Sequence, residues 1–562
     1  MRPIHRPTRH SGIGALALAL AAVLQPALAR TGDDPAPPAV ESGPTAGETL
    51  LLRGVTVRGA GEHADKGITA QHVKDAANDA AARIIGPLPA QASLAQLEAI
   101  AEEITGLYRQ AGFVVAYAYL PPQDISQTGI ARIEVLEGSI GRILTHGSQR
   151  YREDQIAASS LSLIGKPLHL RELERALLYA RDLPGVTLSP VLRPGLNPGE
   201  TDVLLQAEDN ARPYGVRVGV NNHGTDATGR YRVEAGIAAY NVLGASDTLS
   251  ANLAYGVDPA DSWQAAVALN LPFAHTPGLS GVFGLSRSEL ELNTGPMAAL
   301  EIHGPTTIGY AGLDWTFAQS AGLTASASAR WIHEQSRLDG LGMELSRHKF
   351  DVLETGVRLR HTDRRLRGIN VAEATVRKSI NDESPGFNWL YPAHASHFLV
   401  SKLSLARLQA LPGNQRVLLR GSAQFTEDAL VPLEQFSLGG PDSVRAFPLS
   451  SALGDRGVLA SFEYQVDAPG FADRASPLEG GTWRDLLTFS LFYDWGRVSP
   501  ADDNRRRGAL PIALEGAGVG IGLRLPWQPD MRLDLTAARP TARHRAFDDD
   551  GTQIWARLGM TF

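Results

Sequence analysis

The sequence predicts a mixed fold in which two small α/β domains precede a 16-stranded antiparallel transmembrane β-barrel. Two observations lead to this prediction. Apolar residues recur at helical spacing up to about Asp209, and this periodicity is absent from Tyr214 onward. The remainder, to Phe562, contains about 16 alternating segments divided by Gly, Asn, Asp and Pro turns, which suits transmembrane strands of roughly 9–11 residues and their connections.

The first residues predict export from the cytoplasm. A basic start leads into an apolar stretch from Ile13 to Leu24, and Ala27 and Ala29 then offer the small residues of a cleavage site. This three-part arrangement is typical of a bacterial secretory signal peptide. A membrane anchor is the alternative, but about 12 apolar residues are too few to span a bilayer. We therefore predict a signal peptide over 1–29 and a flexible Pro- and Gly-rich leader over 30–49.

Composition narrows the class of protein. The chain has 562 residues, a formal charge of −7 and no cysteine, with 43% hydrophobic and 20% charged residues. Its length predicts several domains or a large barrel with accessory domains. A mildly acidic chain lacks the basic face that nucleic-acid binding needs, so we expect no nucleic-acid partner. The absence of cysteine excludes disulfide scaffolds, thiolate zinc sites and cysteine nucleophiles.

Two successive α/β patterns occupy 50–137 and 138–209. In the first, Ser93 is suited to capping a helix whose apolar residues lie on one side. In the second, a strand is followed by a helix and two more strands. The predicted elements are strands over 50–59, 113–120 and 130–136 with a helix over 94–107, then strands over 140–145, 186–192 and 201–207 with a helix over 170–181.

The barrel prediction depends most on two late segments. Between Leu486 and Val498, large apolar residues alternate with Phe492, Asp494 and Gly496, which we assign to the lumen face. The last segment alternates in the same way and ends in Phe562. A soluble β-sandwich would also have one apolar face per strand. Export, strand number and the terminal Phe together favour the membrane barrel.

Short motifs follow one another in order along most of the mature chain. They are Ala111-Gly112-Phe113, Tyr119 to Asp124, Val135 to Gly138, Leu173-Glu174, Leu183 to Val186, Pro194-Gly195, Gly199 to Val203, Asn221-Asn222, Gly229 to Tyr231 and Asn241 to Gly244. This order resembles the TpsB-type outer-membrane transporters of two-partner secretion, the hemolysin activator/secretor family, in the superfamily that includes the barrel-assembly factor BamA. The resemblance implies that 50–137 and 138–209 are two periplasmic POTRA domains and that 214–562 is the barrel.

Two further motifs carry the candidate site. They are Val444, Arg445, Ala446 and Phe447 in one segment and Phe492, Asp494 and Gly496 in another. They resemble the superfamily's Val-Arg-Gly-Tyr/Phe loop motif and its Phe-x-Asp-x-Gly wall motif. The resemblance implies that a loop over 428–456 folds back into the lumen and that Asp494 holds Arg445. Spacing alone favours a solvated loop arginine and an ordinary lumen carboxylate, and only the resemblance favours the pair.

The sequence departs from the family pattern at two points. Ala446 stands where the family has glycine, so its methyl group would cost about 1 kcal/mol if the loop required a positive φ or a close backbone approach there. Some members place a plug helix ahead of the first POTRA domain. Here the leader contains four prolines and little apolar periodicity, so we expect no plug helix.

Enzyme chemistry has little support. We find no phosphate loop and no G-x-S-x-G motif, and we predict no catalytic residue, cofactor or metal. Alternating glycines from Gly516 to Gly522 predict one face of a strand that leaves space in the lumen. His394 and His397 are predicted to be surface residues, and the arginines at 364–367 a solvated hairpin turn.

The resemblance implies an exporter in the outer membrane. An unfolded TpsA-type exoprotein would bind through its N-terminal secretion domain to the POTRA surface over 50–209 and pass through the barrel without ATP. Outer-membrane lipid and, during biogenesis through the Phe562 terminus, the barrel-assembly machinery are further expected partners. A barrel-assembly insertase and a passive porin-like channel remain alternatives. Neither the exported protein nor the resting state of the barrel follows from the sequence.

Overall fold

A computed structural model describes residues 49–210, 212–225, 228–257, 262–292, 301–383, 397–478, 481–506, 508–527, 529–542 and 551–562. The predicted signal peptide, nearly all of the leader and His394 lie outside these residues. Apart from Asp182–Gly185, which groups with the second unit, one compact unit ends at Asp209 and another begins at Asn210. Among the described residues, no helix has the length and apolar character needed to cross a membrane.

The first unit consists of three small sheets and four helices. Its strands are β1 (Thr49–Leu52), β2 (Gly54–Arg58), β3 (Ala90–Ser93), β4 (Tyr117–Tyr119), β5 (Ile130–Leu136), β6 (Ser139–His146), β7 (Val186–Pro194) and β8 (Glu200–Asp209). Its helices are α1 (Ala70–Ile84), α2 (Leu94–Gln110), α3 (Glu153–Ala157) and α4 (Leu170–Arg181), with 3-10 turns at Ala64–Lys66 and Leu161–Leu163. The sheet orders are β1-β3, β2-β5-β4 and β6-β8-β7, with β2 parallel to β5 and β6 parallel to β8.

Caps and apolar spacing explain the two long helices α1 and α2. Ser93 and Gln96 form a capping box at the start of α2, as the sequence predicted for Ser93. Helix α1 was not predicted. Thr69 caps it, and its buried face consists of Val73 and three alanines, so the large apolar residues that mark a helix in a sequence are missing.

Two predicted strands of this unit are wrong in extent. The segment over 50–59 forms two strands, because Arg53 separates β1 from β2 and the two pair with different partners. The segment over 113–120 is a strand only from Tyr117 to Tyr119. Phe113 instead enters the core directly after Gly112, whose φ of 99° ends the preceding helix.

The second unit is a closed antiparallel barrel of 16 strands. These are β9 (Tyr214–Asn221), β10 (Tyr231–Tyr240), β11 (Thr248–Val257), β12 (Trp263–Pro272), β13 (Leu279–Leu292), β14 (Ile302–Gln319), β15 (Leu323–Gly340), β16 (Met343–Asp363), β17 (Gly368–Asp382), β18 (Leu399–Ala410), β19 (Gln415–Phe425), β22 (Arg456–Asp467), β23 (Leu487–Ser499), β24 (Ile512–Pro526), β25 (Asp530–Pro540) and β26 (Gln553–Thr561). Two short helices, α5 (Trp483–Leu486) and α6 (Asp502–Arg506), lie in its connections.

The alternation predicted for β23 is confirmed. Leu491 and Tyr493 are exposed on the outer face, whereas Phe492, Asp494 and Gly496 are buried on the inner face. Apolar residues on the outside and polar residues on the inside are the arrangement of a transmembrane barrel.

One long connection does not leave the barrel. Residues 426–455, which we call the lumen loop, join β19 to β22 and contain a two-stranded sheet of β20 (Phe436–Leu438) and β21 (Ala452–Gly454). The loop predicted over 428–456 therefore corresponds to this connection within two residues. Its central residues pack on the inner faces of the late barrel strands in one apolar cluster.

Candidate functional site

The centre of the site is an arginine of the lumen loop that contacts the inner barrel wall. Arg445 is 6% exposed and Asp494 is fully buried. Arg445 Nε donates to Asp494 Oδ2 at 2.8 Å and Nη2 donates to Oδ1 at 2.9 Å, while the main-chain N–H of Arg445 donates to Oδ2 at 3.1 Å. One carboxylate thus binds both the side chain and the backbone of a loop residue, so it fixes position as well as charge.

Three other wall residues complete this contact. Arg445 Nη1 donates to Glu463 at 2.6 Å, Nη2 donates to Ser461 at 3.3 Å, and the guanidinium carbon lies 3.4 Å from the ring centroid of Phe492. Sequence reasoning missed Ser461 and Glu463. In the register of β22 and β23 they stand opposite Asp494 and Phe492, so strand alternation combined with pairing would have found them. We call these five residues the Arg445 site.

The other predicted motif residues pack around this site. Val444 and Phe447 are buried in the apolar cluster of the lumen loop. Gly496 faces Leu438, and a Cβ on this glycine would lie 2.5 Å from a Leu438 methyl carbon. The wall motif therefore needs glycine at this position because the loop packs directly against its backbone.

Ala446 is accommodated without backbone strain. It is not among the non-glycine residues with positive φ, and it is 3% exposed. Its methyl group lies over Gly516 of β24, where an added Cβ would be 2.2 Å from the Ala446 Cβ. The alternating glycines of β24 thus provide the space that the sequence predicted for a packed loop. Alanine fits at 446, where the family has glycine, because Gly516 leaves space for its methyl group.

A second charged contact holds the earlier part of the lumen loop. Glu434 of the loop is 2% exposed and accepts from Arg377 Nη2 of β17 at 2.7 Å. The same guanidinium donates to Glu334 of β15 at 2.5 Å and to Glu354 of β16 at 2.6 Å. Nothing in the sequence motifs indicated this cluster, which we call the Glu434 site.

Apolar contacts accompany the Glu434 site. Leu430 and Val431 of the loop are 2% exposed and pack on the inner surface of β15 to β18. The wall residues of this cluster are Ile332, Phe350, Val352, Phe398 and Val400. The loop is therefore anchored on two separate groups of strands, β15 to β18 at its start and β22 to β24 at its centre.

The carboxylate of Asp455 joins both ends of the loop to the next connection. Asp455 is fully buried and accepts from the main-chain N–H groups of Leu430 at 2.8 Å and Ala501 at 2.7 Å. It also accepts from the side-chain amides of Gln435 at 3.1 Å and Asn504 at 3.0 Å. Four donors from two connections thus meet on one side chain.

The barrel encloses a charged cavity of about 840 Å³. Its lining includes Arg217, Glu234, Arg524, Arg532, Asp534 and Arg557. These side chains come from the first and last strands and carry both signs of charge. Apolar residues, among them Leu253 and Met560, line much of the rest of the cavity, so its charged groups alternate with apolar surface.

The first unit offers sheet edges and a partly buried carboxylate, that of Glu137. Strand β4 is an edge of its sheet, and Tyr117 and Tyr119 on it are exposed. Glu137 accepts from the Gly61 N–H at 2.8 Å and from the Tyr108 hydroxyl at 3.1 Å. Burial, together with the charge of Glu137, raises the pKa of Tyr108 far above its usual range. Glu137 therefore organises the interior of this unit.

The remaining predicted residues are isolated from the Arg445 site. The N–H of Phe562 donates to the Val216 carbonyl of β9 at 2.9 Å. The arginines at 364–367 lie in the turn between β16 and β17, and His397 is exposed. Across the described ranges, no group of three or more His, Asp or Glu residues is arranged to hold a metal ion.

Comparison with known families and proteins gives consistent matches. The family described as haemolysin secretion/activation protein ShlB/FhaC/HecB matches residues 199–525, and the ShlB-type POTRA domain matches residues 65–138. The heme/hemopexin transporter HuxB of Haemophilus influenzae is 25% identical over 84% of this chain and 82% of its own. The hemolysin transporter ShlB of Serratia marcescens is 26% identical over 82% and 79%.

Solved structures show the same fold. CdiB from Escherichia coli superposes with a TM-score of 0.72 at 19% identity, covering 98% of this chain and 96% of its own. A BamA structure from Haemophilus ducreyi that lacks POTRA domains 1–3 gives a TM-score of 0.54 at 14% identity, covering 92% of this chain and 100% of its own.

Proposed function

Because this chain belongs to the ShlB/FhaC/HecB family of haemolysin secretion/activation proteins, we propose that it exports one partner exoprotein through a barrel that the lumen loop occupies between export events. It is an outer-membrane secretion protein with a POTRA domain in the periplasm. The family is one of transporters and secretion proteins. Relatives are named for different cargo, so the passenger of this chain is not given by theirs.

The unit over 50–209 is the proposed docking surface, with 50–137 and 138–209 as two POTRA domains. An unfolded secretion domain at the partner's N-terminus would add as a strand to exposed sheet edges such as β4, where main-chain hydrogen bonds supply binding without a folded partner. No nucleotide is needed for this step, and folding of the partner outside the cell would supply direction. The C-terminal strand ending in Phe562 would be the part that the barrel-assembly machinery recognises.

The single observation that carries the transport mechanism is the buried Arg445 site. A bidentate guanidinium–carboxylate pair inside the barrel fixes the lumen loop across the path that a chain would follow. Export then requires that this loop move. Lysine at 445 would keep the charge but lose the two-pronged contact with Asp494.

The first experiment compares the culture medium and the outer membrane of the native host with and without this gene. We expect one large exoprotein to disappear from the medium while other barrels keep their abundance. A broad fall in outer-membrane barrels would instead identify an insertase, and no change in either fraction would identify a passive channel.

Variants then test the loop directly. Arg445→Ala and Asp494→Ala should each reduce export while a heat-modifiable barrel remains in the membrane. Arg358→Ala is the matched control. Arg358 also pairs with a carboxylate, that of Glu373 on the barrel wall, but its side chain is 62% exposed. Wild-type secretion by both lumen variants would contradict the role of the Arg445 site. Deleting 50–209 should abolish partner recognition, and unchanged export would remove the docking role.

A further inference from the structure

The seam where the barrel closes is its shortest strand pairing. Between β9 and β26 the described ladder runs from Asn221 opposite Arg557 to Arg217 opposite Thr561, five residue pairs. The next shortest pairings in the described barrel align eight pairs. One more main-chain hydrogen bond follows, from the Asn222 N–H to the Ala556 carbonyl at 3.2 Å, and the residues of β26 that precede Ala556 extend beyond it.

A side-chain amide continues the seam over these residues. Asn222 Nδ2 donates to the Ile554 carbonyl at 2.7 Å, and the Ala556 N–H donates to Asn222 Oδ1 at 2.7 Å. The carbonyl of one residue and the N–H of the residue two further on point to the same side of a strand. The Asn222 amide therefore pairs with β26 on either side of Trp555, as a neighbouring strand would.

Trp555 connects this point with the lumen loop. It is 5% exposed, and its Nε1–H donates to the main-chain carbonyl of Arg445 at 2.8 Å. The edge of the indole also meets His223, with ring centroids 5.8 Å apart. Arg445 is thus bound through its N–H and side chain by β22 and β23 and through its carbonyl by β26.

We propose that Asn222 and Trp555 are positioning residues that couple the lumen loop to the seam between β9 and β26. When the end of this seam at Asn222 loosens, Arg445 leaves the lumen more readily. The Asn222 amide hydrogen-bonds to the β26 backbone on either side of Trp555 and so fixes the position of its indole. The indole in turn donates to the Arg445 carbonyl. Coupling of this kind is reciprocal, so the lumen loop, when it is bound in the lumen, also stabilises the end of the seam at Asn222. The inference rests on the proposed function, because only a loop that moves can be coupled.

The test measures loop release in the full-length protein in lipid vesicles. The chain has no cysteine, so Ala452→Cys places a single thiol in the loop at a position that is 2% exposed. A membrane-impermeant maleimide then reports release as a labelling rate. Trp555→Phe, which keeps a ring but removes the donor, should raise this rate roughly two- to tenfold, the effect of one hydrogen bond. Asn222→Ala should raise it similarly.

The combination of variants separates coupling from a merely structural role. In the Trp555→Phe background, Asn222→Ala should add no further increase, because it acts through the indole. Trp331→Phe, on the outer face and 46% exposed, is the control and should label as the parent does. An unchanged rate in Trp555→Phe, multiplied effects in the double variant, or an equal increase in the control would each overturn the coupling.

Arg445→Ala distinguishes this failure from failure of the proposed function. If Arg445→Ala labels rapidly while Trp555→Phe labels as the parent does, the loop moves and only the coupling is wrong. If Arg445→Ala also labels at the parental rate, the loop is not held by the Arg445 site, and both the coupling and the proposed transport mechanism fail.

Discussion

The two charged anchors of the lumen loop have opposite polarity. At the Arg445 site the loop supplies the cation, and the wall supplies Asp494 and Glu463. At the Glu434 site the loop supplies the anion, and the wall supplies Arg377, which is already bonded to two other wall carboxylates, and Lys402, whose Nζ lies 3.8 Å from Glu434. Both are buried, so distance and burial alone do not distinguish them.

The difference lies in what each wall retains when the loop leaves. Arg377 keeps Glu334 and Glu354, so its charge remains paired. Asp494 and Glu463 lose the guanidinium that both contact. Removing one partner of a buried ion pair is costly, whereas a cluster that stays paired loses little. We therefore expect the Arg445 site to contribute more to loop occupancy than the Glu434 site.

The largest expected effect is that of Asp494→Asn, which keeps the volume and removes the charge. It should shift the free energy between occupied and released loop by about 3 kcal/mol towards release, the low end for breaking a buried pair, because Glu463 still contacts Arg445. Labelling of a thiol at 452 measures the shift. Glu373→Gln, which breaks a more exposed wall pair with Arg358, is the control. A parental labelling rate in Asp494→Asn would remove the asymmetry between the anchors.

Gly516→Ala is expected to have the next largest effect. The new Cβ would lie 2.2 Å from the Ala446 Cβ and 2.9 Å from the Arg539 carbonyl oxygen, so the loop should be displaced at a cost of about 1–3 kcal/mol, as for other overpacked contacts. Ala446→Gly in the same chain should return the labelling rate most of the way to the parental value, because it removes the closer of these two contacts. Gly421→Ala, where the nearest atom is 3.7 Å away, serves as control. Failure of the rescue would show that this contact does not carry the effect.

Glu434→Gln should have a smaller effect, below about 1 kcal/mol on loop release, because Arg377 keeps two carboxylates and an amide still accepts its hydrogen bond. Removing one of two carboxylates that share Arg377 Nη2 also relieves their repulsion. The same labelling assay applies. An effect as large as that of Asp494→Asn would contradict the ranking of the two anchors.

The smallest expected effect concerns a buried histidine in the first unit, for which the cost of burying the charged form outweighs the charge of Glu172. Burial lowers the pKa of His169, whose Nε2 lies 3.1 Å from the Ala111 carbonyl. The unfolded chain then binds a proton more readily, so stability is complete above about pH 6.5 and falls as the pH drops below it. The protection factors of the amides in α4, which are the intrinsic exchange rates at each pH divided by the observed rates, should therefore fall as the pH drops from about 7.5 to about 5.5. His169→Gln should flatten this dependence, and an unchanged profile would show that another group is responsible.

Strand alternation predicted the inner face of β23 but not the partners of the residues on it. It assigned Asp494 to the lumen, while its pairing with Arg445 came only from the resemblance, because spacing says nothing about where a loop folds. Arg377 and Glu434 are 57 residues apart and meet through strand register and loop path together, which no local pattern encodes. Helix α1 was missed for a simpler reason, since alanines bury its face.

In the proposed loop movement, Asp455 is the fixed point at which the two ends of the lumen loop stay bound. Its four hydrogen bonds tie Leu430 and Gln435 to the segment at Ala501 and Asn504, so both roots of the loop are fixed to the barrel rim. The swinging part is thereby confined to the residues between Gln435 and Asp455. Fully extended, this segment is roughly 60 Å long. Because both of its ends are fixed, its middle can reach roughly 30 Å from them, which is about the thickness of the hydrocarbon core of a bilayer. In the proposed mechanism the centre of the loop can therefore leave the lumen while both of its ends stay bound.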